Sequence, residues 1–192
     1  MGEGGAVMAK KAPKRKIVAG SIIDAFQATQ RFPFDVFQRD AMQILEDGRS
    51  VLVSAPTGSG KTIVAEFSIF LARHLGRRCI YTTPLKALSN QKFRDLKAVM
   101  GDDVGLVTGD VVINPHAPVL IMTTEILRNM LQVDPAQCDD VSHVVLDEAH
   151  YIGSDGRGTV WEETIVFLGK DTRIVALSAT IPNADELATW VS

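Results

Sequence analysis

Short apolar stretches rich in β-branched residues alternate along this chain with longer stretches of helical periodicity. The apolar stretches are 50–54, 79–82, 104–107, 119–122, 141–146 and 173–177. Such alternation is typical of strands joined by crossover helices, which place the strands in one parallel sheet. We therefore predict an α/β fold with a mostly parallel central sheet and helices on both faces. Ligands of such sheets bind beyond the carboxyl ends of the strands, so residues that follow strands are the first site candidates.

Helical patterns fill the intervals between the predicted strands. Asp35 is placed to cap the first helix, and Gly48 is placed to end it. The predicted helices are 35–47, 61–74, 88–99, 124–130, 160–168 and 183–192.

Size and composition fit one ordinary globular domain. The chain has 192 residues, of which 46% are hydrophobic and 22% charged, whereas disordered chains are poorer in apolar residues. No apolar run reaches the roughly 20 residues that cross a bilayer, and the first twenty residues lack a signal-peptide core. Cys79 and Cys138 lie in different predicted elements without CxxC spacing. We therefore expect a cytoplasmic protein with two reduced thiols and neither a disulfide nor a zinc site.

The first residues differ in charge from the rest of the chain. Residues 1–16 contain five basic residues and one acidic residue, although the whole chain has a formal net charge of −3. We predict that residues 1–18 form a flexible basic tail and that residues 19–192 form the domain. The tail either adds loose electrostatic affinity for nucleic acid or is simply a solvated terminus.

A glycine-rich turn follows the first strand and opens a helix. It reads Ala55-Pro56-Thr57-Gly58-Ser59-Gly60-Lys61-Thr62, close to the phosphate-binding pattern GxxxxGK[ST] with alanine at the first glycine. Glycines allow positive φ angles, so that backbone N–H groups and the helix start can approach a phosphate. Lys61 offers a point charge to the β and γ phosphates, and the Thr62 hydroxyl is a magnesium ligand. The pattern therefore predicts a site for ATP and magnesium.

An acidic sequence ends the most strand-like stretch of the second half. Asp147, Glu148, Ala149 and His150 follow Val144-Val145-Leu146. A carboxylate in this position beside a phosphate cradle can hold magnesium, which assigns Asp147 to the metal. Glu148 is then the residue that orients and activates the attacking water. His150 is placed to connect the nucleotide site to a neighbouring element through hydrogen bonds.

The glycine-rich turn, the acidic sequence and a third segment downstream together resemble the motifs of superfamily-two helicases. Residues 55–62 resemble motif I, residues 147–150 resemble motif II, and Ser178-Ala179-Thr180 resembles motif III. The resemblance implies a RecA-like P-loop domain that hydrolyses ATP. It also implies that Ser178 and Thr180 couple hydrolysis to nucleic-acid binding.

A finer resemblance is to the superkiller-like DExH RNA helicases. The segments that carry it are 34–38, 82–92, 108–110, 113–115, 122–128 and 158–164. It extends from about Phe32 to Ser192 and implies that Gln38 reads the adenine edge. Many eukaryotic superkiller proteins have valine or isoleucine where Ala149 stands, which weakens assignment to one subgroup.

The same resemblance places single-stranded nucleic acid across the segments after three strands. The residues implied in binding are Thr83, Pro84, Lys86, Thr108, Gly109, Asp110, Thr123, Thr124 and Arg128. Hydroxyls, charges and loop amides of this kind contact the phosphate backbone, so we expect little sequence specificity. Threonines after strands also cap helices, and that alternative stays open here.

Several functional alternatives remain. The resemblance implies an ATP-dependent RNA helicase in RNA processing or decay, with a DNA helicase or an ATP-regulated nucleic-acid-binding module as alternatives. Another P-loop enzyme, such as a recombinase or transport ATPase, fits the segments between the cradle and the acidic box less well. The sequence in hand stops just after the segment that resembles motif III, so it does not include motifs IV to VI or the second RecA-like domain with its arginines. We therefore expect this chain alone to bind nucleotide weakly, to hydrolyse it negligibly and to unwind nothing.

Overall fold

The computed structural model describes the backbone of residues 6–8, 21–150 and 158–180, and side chains within 21–150 and 160–180. The strands are β1 (Ala6–Met8), β2 (Val51–Ser54), β3 (Arg78–Thr83), β4 (Val104–Val107), β5 (Val112–Ile113), β6 (Val119–Thr123), β7 (Val141–Leu146) and β8 (Arg173–Ser178). The α-helices are α1 (Ile22–Gln27), α2 (Val36–Glu46), α3 (Thr62–His74), α4 (Lys86–Met100), α5 (Thr124–Val133) and α6 (Gly158–Phe167). Short 3-10 helices cover Gly101–Asp103 and Pro135–Cys138.

The described strands form one eight-stranded sheet. Their spatial order is β1-β2-β8-β7-β3-β6-β4-β5. The six strands from β2 to β4 in this order are parallel, and the outermost strands β1 and β5 are antiparallel to their neighbours. The predicted α/β fold with a mostly parallel sheet is confirmed.

Both faces of the sheet are buried, as a parallel sheet requires. Along β2, Val51 and Val53 belong to one hydrophobic cluster, and Leu52 belongs to the other. Helices α1, α2 and α3 contribute to the first cluster, whereas α5 and α6 contribute to the second. Trp161 of α6 is 2% exposed and lies in the second cluster, so it is a core residue.

The sequence predicted the central strands to within about a residue at each end, but it missed short elements. Strands β1 and β5 were not expected, because two or three residues are too few to show an alternating pattern. Helix α1 was not expected either, because its six residues make fewer than two turns of helical periodicity. Within the predicted basic tail, residues 6–8 pair with β2, and the other residues of that tail lie outside the described ranges. The predicted helix 183–192 also lies outside them.

Two further findings concern the described residues. Their helices include none that is both long and apolar enough to span a membrane. Cys79 and Cys138 are free and buried, and burial raises the pKa of Cys79 to about 12 and that of Cys138 to about 11. Both thiols therefore stay protonated and inert near neutral pH.

Candidate nucleotide and nucleic-acid site

Six strands bring their carboxyl ends to one edge of the sheet. Because β2, β8, β7, β3, β6 and β4 are parallel neighbours, the segments that follow them meet there. Register alignment is close: Ser54 pairs with Ser178, and Thr83 pairs with Thr123. The phosphate cradle, the acidic box and the segment 178–180 therefore lie side by side, as the sequence predicted.

The cradle has the backbone geometry that phosphate binding needs. Gly58 and Gly60 have φ angles of +83° and +84°, and α3 begins at Thr62 immediately after the turn. Thr57, Gly58 and Thr62 are exposed, so they are accessible to a ligand. Such a turn before a helix start favours anions through backbone N–H groups.

The lysine of the cradle points back over the turn. Its ammonium donates hydrogen bonds to the carbonyl oxygens of Ala55 at 2.6 Å and Pro56 at 3.0 Å. Burial lowers the pKa of Lys61, while the nearby carboxylates of Glu148 and Asp147 oppose that shift. The two carboxylates thus help to keep Lys61 protonated for a phosphate partner.

One hydroxyl in the cradle is buried without a partner. Among the described residues, the buried side-chain polar atoms that lack a hydrogen-bond partner are Ser59 Oγ and His143 Nε2. An orphaned buried hydroxyl is costly, and here it lies inside a turn built to face phosphates. The unpartnered hydroxyl of Ser59 is therefore consistent with a cradle that accepts a hydrogen-bonding ligand.

Gln38 connects helix α2 to the cradle. Its Oε1 accepts from the backbone N–H of Asp35 at 2.9 Å, and its Nε2 donates to the carbonyl oxygen of Gly60 at 3.2 Å. The side chain is only 4% exposed. Both the oxygen and the nitrogen of its amide therefore make hydrogen bonds within the protein. The prediction that Gln38 contacts the adenine edge did not include these two bonds.

The acidic box follows β7 in a strained turn. Glu148 has a φ of +55°, a left-handed conformation that is uncommon outside glycine, asparagine and aspartate. Its backbone N–H donates to Asp147 Oδ1 at 2.9 Å, and the backbone N–H of Asp147 donates to Thr82 O at 3.0 Å. Strain of this kind is concentrated at functional sites, where it fixes side-chain directions.

A tyrosine that sequence reasoning missed contacts the acidic box. The hydroxyl of Tyr81, on β3, donates to Asp147 Oδ2 across 2.6 Å. Burial and the carboxylate of Asp147 raise the pKa of Tyr81 well above its usual value, so the phenol keeps its proton. The signal for it was a tyrosine inside a buried strand, since a buried tyrosine hydroxyl normally needs a partner.

The third segment is tied to both the cradle and the acidic box. The backbone N–H of Ala179 donates to Nδ1 of His150 at 3.4 Å, which is the kind of link predicted for His150. His150 Nδ1 also lies 3.3 Å from Glu148 Oε2. Ser54 Oγ donates to Ala179 O at 3.2 Å.

Ser178 and Thr180, the two residues predicted to couple hydrolysis to nucleic-acid binding, differ in environment. Ser178 is fully buried, and its hydroxyl donates to Ala179 O at 2.8 Å, whereas Thr180 is exposed. Ser178 therefore shapes this segment from inside, and Thr180 is the member that a ligand or a second domain can reach.

A cleft of about 400 Å³ runs between the cradle, the acidic box and α4. Lys61, Thr62, Asp147 and Glu148 all line it, so the predicted magnesium ligands and phosphate-contacting groups share one cavity. Of the other predicted ATP residues, Thr57, Gly58 and Gly60 line it as well, whereas Gln38, Ser59 and His150 do not. Helix α4 adds residues that were not predicted: Leu88, Gln91, Lys92 and Asp95.

The site suits a cation that arrives with a nucleotide. No group of three or more His, Cys, Asp or Glu side chains in the described ranges is arranged to hold a metal. Magnesium typically takes one or two protein oxygens and completes its shell with phosphates and water. Thr62 and Asp147, which both line the cleft, match that donor set.

Most of the predicted nucleic-acid threonines make contacts within the protein. Thr83 is 1% exposed, and its hydroxyl donates to Leu85 O at 3.0 Å at the start of α4. Thr123 Oγ1 accepts from Ile126 N at 3.4 Å and caps α5, while buried Thr124 donates to Thr83 O at 3.4 Å. Thr108 is 4% exposed and donates to Asp110 Oδ1 at 3.1 Å. These contacts shape the loops, as the capping alternative foresees, and contact of the hydroxyls with nucleic acid stays a prediction.

The accessible members of that set are charged or lie in a turn. Lys86, Gly109 and Asp110 are exposed, and Pro84 is half-buried. Lys86 forms an ion pair with Asp110, and this contact with its hydrogen bond lowers the pKa of Asp110.

The last predicted phosphate contact lies on α5 and is also paired within the protein. Arg128 donates to Asn129 Oδ1 at 2.9 Å, and its guanidinium lies 3.7 Å from Glu163 Oε2. The cationic groups of the set therefore already have anionic partners.

The sequence model of the DEAD/DEAH box helicase family matches residues 35–187. The chain is 52% identical over 170 residues to the probable helicase HelY of Mycobacterium tuberculosis, covering 88% of this chain and 19% of that protein. It is 51% identical over 161 residues to the antiviral helicase SKI2 of Saccharomyces cerevisiae (83% and 12% covered). It is 50% identical over 167 residues to the human exosome RNA helicase MTR4 (86% and 16% covered). The chain thus spans about a fifth or less of these relatives.

Solved structures show the same fold. Mycobacterium smegmatis helicase Lhr, bound to ssDNA and AMP-PNP, superposes with a TM-score of 0.69 at 27% identity, covering 91% of this chain and 26% of Lhr. A hypothetical ATP-dependent RNA helicase from Sulfolobus tokodaii has a TM-score of 0.66 at 22% identity, with 90% and 54% covered, which supports the fold alone. The family match, the motif set and the RecA-like sheet agree, and the chain belongs to the DEAD/DEAH box helicase family.

Proposed function

We propose that this chain is the ATP-binding part of a superkiller-like RNA helicase. It binds ATP with magnesium in the cleft beside α4 and single-stranded nucleic acid across the loops after β3, β4 and β6. The observation that carries the proposal is the convergence of Lys61, Thr62, Asp147 and Glu148 on one cavity. A cradle, a metal carboxylate and a water-orienting glutamate are the parts of a phosphoryl-transfer site.

Each residue has a distinct task in that site. The turn 57–60 and the ammonium of Lys61 hold the phosphates, and Thr62 with Asp147 holds the metal. Magnesium, when bound, neutralises charge that develops on the phosphates. Glu148 orients the attacking water, which its fixed backbone conformation favours.

Hydrolysis and movement require more than this domain. Family likeness implies a second RecA-like domain whose arginine stabilises the transferring phosphoryl group, an effect worth roughly 10³–10⁵ in rate. Closure on ATP and nucleic acid together, followed by opening after hydrolysis, would drive translocation. The link from His150 through Ala179 is the element of this chain placed to carry that coupling. Alone, the chain is expected to bind nucleotide weakly and to turn over negligibly.

RNA is the proposed nucleic acid, and DNA is the second candidate. The likeness to proteins named antiviral helicase SKI2 and exosome RNA helicase MTR4 favours RNA processing or decay. The likeness to Lhr, whose structure holds ssDNA, favours the DNA alternative. The two free, buried thiols are compatible with a reducing, cytoplasmic setting.

Fluorescence anisotropy with labelled single strands of RNA and DNA of one sequence tests the substrate. The chain is titrated with each strand in the presence of magnesium and a non-hydrolysable ATP analogue. Tighter binding to RNA supports the proposal, and tighter binding to DNA would favour the second candidate. Absence of binding to both strands at low salt would contradict a nucleic-acid function for these loops.

A further inference from the structure

The Asp147 carboxylate is held at both of its oxygens by hydrogen bonds within the protein. Oδ2 accepts from the hydroxyl of Tyr81 at 2.6 Å, and Oδ1 accepts from the backbone N–H of Glu148 at 2.9 Å. The backbone of Asp147 is fixed as well, because its N–H donates to Thr82 O at 3.0 Å. A carboxylate restrained in this way has little rotational freedom to lose on binding a cation.

Tyr81 is itself rigidly placed. It lies in the middle of the sheet on β3, is 1% exposed, and pairs in register with Val145, two residues before Asp147. The ammonium of Lys92, which lines the cleft, stands 5.2 Å from the centroid of its ring. Sheet register and this contact leave the phenol one direction in which to donate, which is toward Asp147.

We propose that Tyr81 is a positioning residue that orients Asp147 for magnesium through the hydrogen bond to Oδ2. This inference deepens the proposed function and rests on it, since it concerns the same cation site. Groups that hydrogen-bond a ligating carboxylate fix its direction, and their loss typically lowers metal affinity or activity about 10- to 100-fold. Tyr81 does not touch the nucleotide in this account, and it acts only through Asp147.

Nucleotide affinity measured with and without magnesium separates this role from a structural one. A fluorescent ADP analogue is titrated in excess Mg²⁺ and again in EDTA, and the ratio of the two affinities gives the gain due to the metal. Tyr81→Phe removes the hydroxyl but keeps the ring in the core. It is expected to lower the ratio about tenfold while affinity in EDTA stays within about twofold of the unsubstituted chain.

Three further variants complete the experiment. Asp147→Ala defines the ratio when the carboxylate is absent. Thr164→Val deletes another fully buried hydroxyl, one that bonds only to Val160 O within α6, and is expected to leave the ratio unchanged. Lys61→Ala is expected to weaken binding both in Mg²⁺ and in EDTA, because it contacts phosphate rather than metal.

The contact itself is checked by urea unfolding in a double-mutant cycle. Tyr81→Phe alone is expected to raise the equilibrium constant for unfolding about fivefold. The same substitution added to Asp147→Ala is expected to raise that constant much less. This readout does not depend on nucleotide or metal.

The outcomes are distinct. A full magnesium gain in Tyr81→Phe, or an equal loss of affinity in Mg²⁺ and in EDTA, would overturn the positioning role while the proposed function stands. An equal effect of Tyr81→Phe on unfolding with and without the Asp147 carboxylate would also overturn it. Nucleotide binding that is unaffected by Lys61→Ala, or absent altogether, would instead overturn the proposed function and this inference with it.

Discussion

The side-chain amide of Gln38 joins the start of helix α2 to the phosphate cradle by donating a hydrogen bond to the carbonyl oxygen of Gly60 at 3.2 Å. The same amide accepts from Asp35 N at 2.9 Å and so caps α2. One buried side chain therefore stabilises a helix start and the shape of a ligand-binding turn together. This double role uses both the acceptor and the donor of the amide, which a glutamine side chain combines.

Replacing Gln38 by alanine is expected to lower the free energy of unfolding by about 1–2 kcal/mol. Both hydrogen bonds are lost, and the Gly60 carbonyl and Asp35 N–H lose their partner. The matched control is Gln43→Ala on the same helix, whose amide makes only an exposed contact of 3.3 Å to Asp47. Urea unfolding of the two variants checks this, and equal losses would show that the bond to Gly60 contributes nothing.

Replacing Gly60 by alanine is expected to lower nucleotide affinity as well as the free energy of unfolding. A Cβ there would stand 2.6 Å from Gln38 Nε2, on a residue with a φ of +84°. The left-handed conformation costs roughly 1–2 kcal/mol, and the displaced Gln38 changes the cradle as well. We expect at least a tenfold loss of nucleotide affinity, given about 1.4 kcal/mol for each tenfold step.

Gly76→Ala is the matched control for that change. Gly76 also has a positive φ, of +65°, but a Cβ there would meet open space far from the cleft. Its variant should lose about as much stability from backbone strain while nucleotide affinity stays the same. Similar losses of affinity in both variants would mean that the defect comes from strain rather than from the cradle.

The stability of the domain should fall as the pH drops from about 6.5 to about 4, through His143. This residue is 2% exposed, and burial with the charges of Arg173 and Arg77 lowers its pKa to about 4. The unfolded chain has an ordinary histidine pKa near 6.5, so between these values it binds more protons than the folded chain. The stabilisation that neutral His143 gives the folded chain is fully present above pH 6.5 and is lost progressively toward pH 4. The free energy of unfolding falls by about 3 kcal/mol in total over this range.

Urea unfolding at a series of pH values measures this slope. His143→Gln should flatten the profile between pH 6.5 and 4, whereas His116→Gln, at an exposed position, should leave it unchanged. A slope that survives in His143→Gln would assign the acid sensitivity to other groups.

Lys86 and Asp110 allow a test of the nucleic-acid surface. If the loops after β3 and β4 hold phosphates, Lys86→Ala should weaken binding of single strands regardless of sequence and lower the salt slope by about 1. Asp110→Ala should strengthen binding, because it frees the Lys86 ammonium from its ion pair. Lys97→Ala, whose ammonium lies 4.0 Å from Asp102 at the far end of α4, is the control. Opposite signs for Lys86 and Asp110 are expected, and unchanged affinity in both would place the strand elsewhere.

Local patterns were sufficient to predict the core of the fold and the two segments that line the cleft. The turn from Gly58 to Thr62 and the box from Asp147 to His150 each lie within one short stretch, and parallel topology brings them together. The roles proposed for them follow from residue types, because phosphate and magnesium chemistry restricts which side chains can serve.

Contacts between distant parts of the chain could not be predicted in the same way. Tyr81 and Asp147 are 66 residues apart, and only the registers of β3 and β7 make them neighbours. The threonines after strands show the same limit: their types suit phosphate, but Thr83 and Thr124 are buried and bond to backbone carbonyls. Residue type alone does not tell which side of a loop a hydroxyl faces.

Binding of a fluorescent ATP analogue with magnesium, compared between this chain and its Lys61→Ala variant, tests the central claim most directly. The ammonium of Lys61 is the cationic group of the cradle, and its loss should weaken binding at least tenfold, about 1.4 kcal/mol or more, without unfolding the chain. Lys97→Ala should bind like the unsubstituted chain. Equal affinity for Lys61→Ala and the unsubstituted chain would contradict the account of this cleft as an ATP site.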